Sequence, residues 1–342
     1  MTRSPTYRLL AALAAVASLA IWPSVAHADD GQSLLQRYQP VTVMDGQELF
    51  TPTDVGSFVQ DAVLETQTAP NVWTVADADP EIGNLPTKPT QACIDQGLDP
   101  CYRLNQPDCS PAAGPAGLSC YVNAWQDPSP ASVVYGRKVE RGDTTLLQYW
   151  YFSYDDLYSY MYPPDDTIWQ DHEGDWEMVS VLLRHGKPVE AGYSQHCTVE
   201  RRAWADVNTY NSTTHPIVYV ANGSHANLFA PREHPIALQC IPAQAIQLLN
   251  LLGLPMPNDH AYPGNVVMGP GGLAGVTPTQ VVDVTEDSPR WMRFAGVFGE
   301  LQMFHAPPQY GGTVPSGYSP PSPRHQDTWK HPLATLHSWP LV

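Results

Sequence analysis

Tyr158 to Leu183 reads YSYMYPPDDTIWQDHEGDWEMVSVLL. Its first half is aromatic and turn-rich, and its second half has the alternation of a strand. Between them lie Asp165, Asp166, Asp171, His172, Glu173, Asp175 and Glu177, seven ionisable groups in thirteen residues. A sheet holds so many charges only when something compensates them. Side chains alternate along a strand, so Asp175 and Glu177 share one face while Trp176 and Met178 share the other. His172 and Asp165 precede that strand, in a loop placed to fold back over the carboxylate face. An oxygen-rich cluster with one imidazole is the ligand set of a hard divalent cation, Ca²⁺ or Mg²⁺ first and Mn²⁺ next. The plainer alternative is a solvated acidic loop feeding an edge strand.

Outward from this stretch the texture is that of strands. SVVYGRKVE, TTLLQYWYFSY, WEMVSVLL, PVEAGYSQH and HPIVYVANG are short, β-branched and aromatic, separated by Gly, Pro and Asp turns. They predict a mainly β protein, an antiparallel β-sandwich with a few short helices and long disulfide-stapled loops. One amphipathic helix is expected over 242–254, with Ala245, Leu248, Leu249 and Leu252 on the face that packs over a sheet edge. Short helices are expected over 34–39 and 53–64, the second capped by Thr53, with an edge strand between them from Pro40 to Phe50. Residues 66–130 read as loop, yet a structureless stretch that long argues for strands within it. The expected organisation is a signal peptide over 1–28 and an N-terminal segment over 29–130 packed on the core. A β-sandwich core with the metal site follows over 131–306. A Pro/Gly-rich tail over 307–342 then wraps the core, anchored by Trp329 and Trp339.

Met1 to Ala28 has Arg3 and Arg8, an apolar run from Leu9 to Ile21, and then Ala26-His27-Ala28. That pattern predicts a secretory signal cleaved after Ala28. The whole chain carries 17 Lys+Arg against 34 Asp+Glu, and loss of Arg3 and Arg8 leaves 15 against 34, a net charge of −19. Such a surface repels nucleic acid and bare anionic lipid unless cations bridge the contact. All six cysteines, Cys93, Cys101, Cys109, Cys120, Cys197 and Cys240, lie after the signal. An even count in an exported chain predicts disulfides, with local pairing within 93–120 and a longer Cys197–Cys240 bridge. Zinc is the competing use, and no C-x-x-C pair supports it.

These motifs resemble those of two families. YSYMYPPD at 158–165 followed by DHEGDWE at 171–177 resembles the necrosis-inducing (NPP1-type) proteins, whose signature is an aromatic run ending in Asp and then Gly-His-Arg-His-Asp-Trp-Glu. The resemblance implies that Asp165, His172, Asp175 and Glu177 occupy metal-site positions. Asp171 stands for the family's first Gly, Glu173 for its Arg and Gly174 for its second His. LLQRYQPVTVMDGQELFTPTDVGSFVQDAVL at 34–64, HEGDWEMV, YSQH at 193–196, HPIVYVANGSHANLF at 215–229 and SPPSPRHQDTW at 319–329 resemble the vacuolar protein sorting-associated protein 62 family, in that family's order of motifs.

His196 in YSQH and Ser224-His225 in GSHAN match positions where both families place a His after a Ser or Thr beyond the metal-bearing strand. A His at a strand end is often no more than hydrogen-bonded; the functional reading puts His196, Ser224 and His225 beside the metal, as extra ligand, general base or headgroup contact. A serine hydrolase fits poorly, since Ser224 and His225 are adjacent and no G-x-S-x-G elbow occurs. HEGDWE is not H-E-x-x-H, and Gly269-Pro270-Gly271-Gly272 lacks the context of a phosphate loop.

Two function classes follow. One is a secreted, cation-dependent protein that binds a membrane lipid, glycolipid or glycan headgroup, with the cytolytic action that the first resemblance implies. The other is a metal-dependent hydrolase of esters or phosphodiesters with His196 or His225 as base. A purely structural ion is the third, plainer use.

Overall fold

The computed structural model describes residues 33–126, 131–159, 168–253, 255–308 and 312–333. Two sixteen-residue strands, Thr144–Ser159 and Trp169–Arg184, pair antiparallel in one register from Thr144 opposite Arg184 to Ser159 opposite Trp169. Their sequences are aromatic and β-branched with little polar alternation, as strands covered on both faces require. They form the middle of an eight-stranded sheet.

Each face of this sheet carries its own core. Tyr149, Tyr151, Val179 and Val181 pack against Met44, Val218, Val220 and Met268 of a five-stranded sheet. On the other face Trp150, Phe152, Trp176 and Met178 pack with Phe58 of the helix Val55–Asp61 and Leu104 of a four-stranded sheet. Trp176 stacks on Trp291 with ring centroids 5.6 Å apart and meets Phe152 at 4.8 Å. Fully burying one such side chain contributes about 1.5–3 kcal/mol.

The mainly β class holds, with two refinements. Among the described residues four strand pairs are parallel, including Val41–Asp45 with Ile217–Val220 and Gln280–Val284 with Val133–Arg141. The strand expected at an edge near Pro40 is Val41–Asp45, and it lies inside its sheet, between Ile217–Val220 and Pro263–Gly269. It is buried because both neighbours cover its backbone, which a lone sequence window does not show.

Residues 66–130 contain the expected hidden strands, a hairpin of Val63–Ala69 with Val72–Asp77 and the strand Tyr102–Asn105 beside it. The helix over 53–64 is Val55–Asp61, and Asp54 rather than Thr53 caps it, accepting from Gly56 N. Ala243–Leu252 is the amphipathic helix, burying Ala245, Leu248 and Leu249. Thr313–Tyr318 adds a strand to the large sheet, and Trp329 lies buried against Trp150. Trp339 and the signal region lie outside the described residues.

The disulfides are Cys93–Cys101, Cys109–Cys120 and Cys197–Cys240. The third closes the longest loop, with a sequence separation of 43 against 8 and 11. On loop entropy alone, opening it costs about 4 kcal/mol, against about 3 for Cys109–Cys120. The double variant Cys197→Ala/Cys240→Ala is therefore expected to lower the thermal midpoint more than Cys109→Ala/Cys120→Ala. Equal losses would show that native-state packing, not loop closure, sets the effect.

Candidate metal centre

Gly174 shapes the site. Its φ of 56° interrupts the alternation of the Trp169 strand. An added Cβ there would lie 2.7 Å from the Phe298 carbonyl oxygen. Upstream of this kink the faces exchange. Glu173 turns toward the aromatic layer, accepting from the Tyr121 hydroxyl at 3.1 Å, whereas Asp175 two residues on faces the other way. His172 and Asp156, which are opposite each other in the hairpin register, come to the same side as Asp175.

His172 therefore lies within a strand, not in a preceding loop as the sequence suggested. The strand begins at Trp169 because its pairing with Ser159 already holds there. Asp165 lies outside the described residues, as do Asp166, Tyr160 and Tyr162.

Asp156, Asp175 and His225 each bring one ligand atom within 4.8 Å of the other two, and all three are buried. His225 follows the strand Ile217–Val220, in a turn rather than on the strand itself, with φ 49°. Its Nδ1 lies 3.0 Å from Asp175 Oδ2, and its Nε2 lies 3.4 Å from Glu48 Oε1. Glu48 is fixed in turn by the Gly223 and Phe50 N–H groups, at 2.6 and 2.7 Å. His172 Nδ1 donates to the Gly174 carbonyl at 2.9 Å, while its Nε2 lies 3.4 Å from Asp156 Oδ2.

Among the described residues, Asp155 Oδ1 and Oδ2, Asp156 Oδ1, Asp171 Oδ1 and His225 Nε2 are buried without a hydrogen bond. An unsatisfied buried carboxylate is costly unless it keeps its proton or a cation completes it. Burial, with Asp171 and Glu173 nearby, pushes the Asp155 carboxyl well above the usual range, and burial raises Asp171 to about 8. Burial also raises Asp156, against the pull of His172. Asp175 behaves oppositely: burial pushes it up, but its hydrogen bond to His225 and the charges of His225 and His172 together outweigh burial and hold it low. Burial draws His172 down, but Asp156 and Asp175 outweigh it and bring the imidazole to about 9. The donor set of two carboxylates and one imidazole, with Asp156 Oδ1 and His225 Nε2 still without a hydrogen bond among the described residues, fits a hard divalent cation.

Glu177 lies on the same face but is already engaged. It accepts from the Ser194 hydroxyl, and from His196 N at 3.3 Å. His196, also left-handed at φ 53°, directs Nε2 to Asp259 at 2.9 Å. Ser224 donates to the same Asp259 at 2.6 Å. The carboxylate thus sits between hydroxyl and imidazole. In a nucleophilic triad the imidazole sits between the other two, so Ser224 is not activated here. Left-handed backbone on a non-glycine residue costs on the order of 1 kcal/mol or more, and such residues cluster at functional sites. This site holds two.

Of the residues expected from sequence, the fold brings together Asp175, His225 and His172, with Glu177 and His196 adjoining them and Ser224 one carboxylate away. Asp156, Glu48 and Asp259 were not expected. Asp156 had a sequence signal, since two successive aspartates inside an aromatic strand are unusual. Glu48 had none.

No family model matches this chain, so the sorting-protein resemblance gains no support there, and no curated protein matches it either. Solved structures similar to it include the NLPPya protein in complex with mannosamine, 15% identical over 62% of this chain and 74% of that one, with a TM-score of 0.29. A toxin fold for microbial attack and plant defense is 17% identical over 61% and 72%, at 0.29. Necrosis and Ethylene inducing Protein 2 from the causal agent of cocoa's Witches Broom disease is 16% identical over 58% and 68%, at 0.28. Against two further NLPPya structures, a mutant and a glucosamine complex, the chain spans under half the partner's length, 44% and 46%. TM-scores this low do not establish a shared architecture. The structural neighbours are thus necrosis and ethylene inducing proteins and their relatives, at low identity.

Proposed function

We propose that this is an exported protein, its signal cleaved after Ala28, that uses a divalent cation to bind a polar headgroup of a membrane lipid, glycolipid or glycan. The observation that carries the reading is the buried convergence of Asp156, Asp175 and His225, with Asp156 Oδ1 and His225 Nε2 left without a hydrogen bond among the described residues. These three would hold the ion. His172 and Glu48 orient Asp156 and His225. Glu177 positions the His196 backbone beside them. A bound Ca²⁺ or Mg²⁺ offers coordination positions that hydroxyl or phosphate oxygens fill in place of water. Three disulfides suit an oxidising, extracellular setting.

A hydrolase is the less favoured reading, because the Ser224 and Ser194 hydroxyls both donate to carboxylates, and neither hydrogen-bonds an imidazole among the described residues. The test is co-sedimentation with phosphatidylcholine vesicles carrying an acidic glycolipid, in Ca²⁺ and in EDTA, beside an ester and phosphodiester panel. Bound protein is expected to fall at least about tenfold in EDTA, with no turnover. Metal-dependent turnover lost in His196→Ala, with vesicle binding intact, would replace this reading with the hydrolase.

A further inference from the structure

A cavity of about 540 Å³ opens at the other end of the long hairpin. Arg137, Arg141, Arg184, Arg201, Arg324 and Lys330 line it, against two carboxylates, Glu190 and Glu286. The chain has only 17 Lys+Arg against 34 Asp+Glu, so this gathering of six cations runs against the charge of the whole molecule. The cavity lies near the Thr144–Arg184 pair and the metal centre near the Asp156–His172 pair. Twelve strand positions, on the order of 40 Å, separate them.

Three of the cations are engaged. Arg137 donates to Gln148, the Trp329 carbonyl and Glu286. Arg201 pairs with Glu190, and Arg324 lies beside Glu286 and Asp287. Arg141, Arg184 and Lys330 are exposed and make no side-chain hydrogen bond or ion pair with the described residues. Beneath them the cavity is apolar: Leu146, Leu182 and Leu333 pack together, and Trp329 lies under the Arg137 guanidinium at 3.9 Å. His331 also lines the cavity, and its buried Nδ1 has no hydrogen-bond partner among the described residues. Surface cations placed for solubility are interspersed with acids, whereas these surround a concavity with an apolar floor.

We infer that this cavity binds an anionic amphiphile. Its carboxylate or phosphate head would meet Arg141, Arg184 and Lys330, and its alkyl body would lie on Leu146, Leu182 and Leu333. Arginine suits either head, since its planar fork donates two parallel hydrogen bonds. The cavity volume is in the range of small-molecule sites.

Titration calorimetry of the full chain with dodecanoate, dodecyl phosphate, dodecanol and inorganic phosphate tests this and separates the two head groups. Added divalent cation is omitted, which keeps the alkyl anions soluble and the metal centre out of the readout. One of the two alkyl anions is expected to bind one per chain and at least about tenfold tighter than dodecanol or inorganic phosphate. The exposed double variant Arg141→Gln/Arg184→Gln should weaken that anion at least about tenfold while dodecanol binding stays within about threefold. Dodecanol binding as tightly as both anions, inorganic phosphate matching dodecyl phosphate, an unaffected double variant, or no saturable binding of either anion would each overturn the inference.

Discussion

Asp175→Asn is expected to weaken Ca²⁺ or Mg²⁺ binding, read by calorimetry, by about 100-fold or more. Outer partners of a metal site already cost 10–100-fold when changed, and Asp175 is proposed here as a direct ligand. It is also the partner of His225 Nδ1 at 3.0 Å, so the variant removes a charge from the ion and loosens the imidazole that shares it. Asparagine retains an oxygen to accept from Trp176 N, as Asp175 Oδ1 does at 2.8 Å, so the strand itself is expected to survive. Asp156→Asn should act like Asp175→Asn. Glu177→Gln separates the two possible ligand sets. The family resemblance makes Glu177 a ligand, whereas its oxygens here accept from Ser194 and His196 N. A loss of about tenfold in Glu177→Gln fits a residue acting through His196. A loss as deep as that of Asp175→Asn would return Glu177 to the ligands, and unchanged affinity in both Asp175→Asn and Asp156→Asn would remove the site.

The sheet was legible because its signal is local. The runs TTLLQYWYFSY and WEMVSVLL carry β-branched and aromatic residues continuously, and two covered faces leave that trace in any window. The site was legible only along one strand. Asp175 and Glu177 share a face as alternation requires, but the rule fails upstream, where Gly174 takes a left-handed turn and sends Glu173 to Tyr121. Asp156 reaches Asp175 through hairpin register, and Glu48 reaches His225 through parallel pairing of segments far apart in the chain. Register belongs to two strands at once, so neither sequence alone states it. The resemblance supplied part of what register hides, including the match of His225, but it put Gly174 down as a replaced histidine. In this chain Gly174 is the residue that sorts the carboxylates onto two faces.

That role makes Gly174→Ala the most damaging small substitution expected in the site. Alanine at φ 56° costs about 1–2 kcal/mol by sterics of its own Cβ. The Cβ would also lie 2.7 Å from the Phe298 carbonyl oxygen and 3.0 Å from Phe298 Cβ. Phe298 is itself fully buried among Phe58, Phe152 and Trp176, so the contact cannot be relieved by a side-chain swing. Overpacking of this kind adds about 1–3 kcal/mol, for a total on the order of 3 kcal/mol. Gly186 provides the control. It lies in the two-residue turn between Trp169–Arg184 and Lys187–Gln195, with φ 71° and nothing within 4 Å of an added Cβ. Gly186→Ala should therefore carry only the backbone part, about 1–2 kcal/mol, and leave cation affinity unchanged. Gly174→Ala should lose more stability and also lose cation affinity, because relaxing the kink moves His172 and Asp175 apart. Equal thermal shifts in the two variants, with affinity intact in both, would mean that Gly174 is a turn residue and no more.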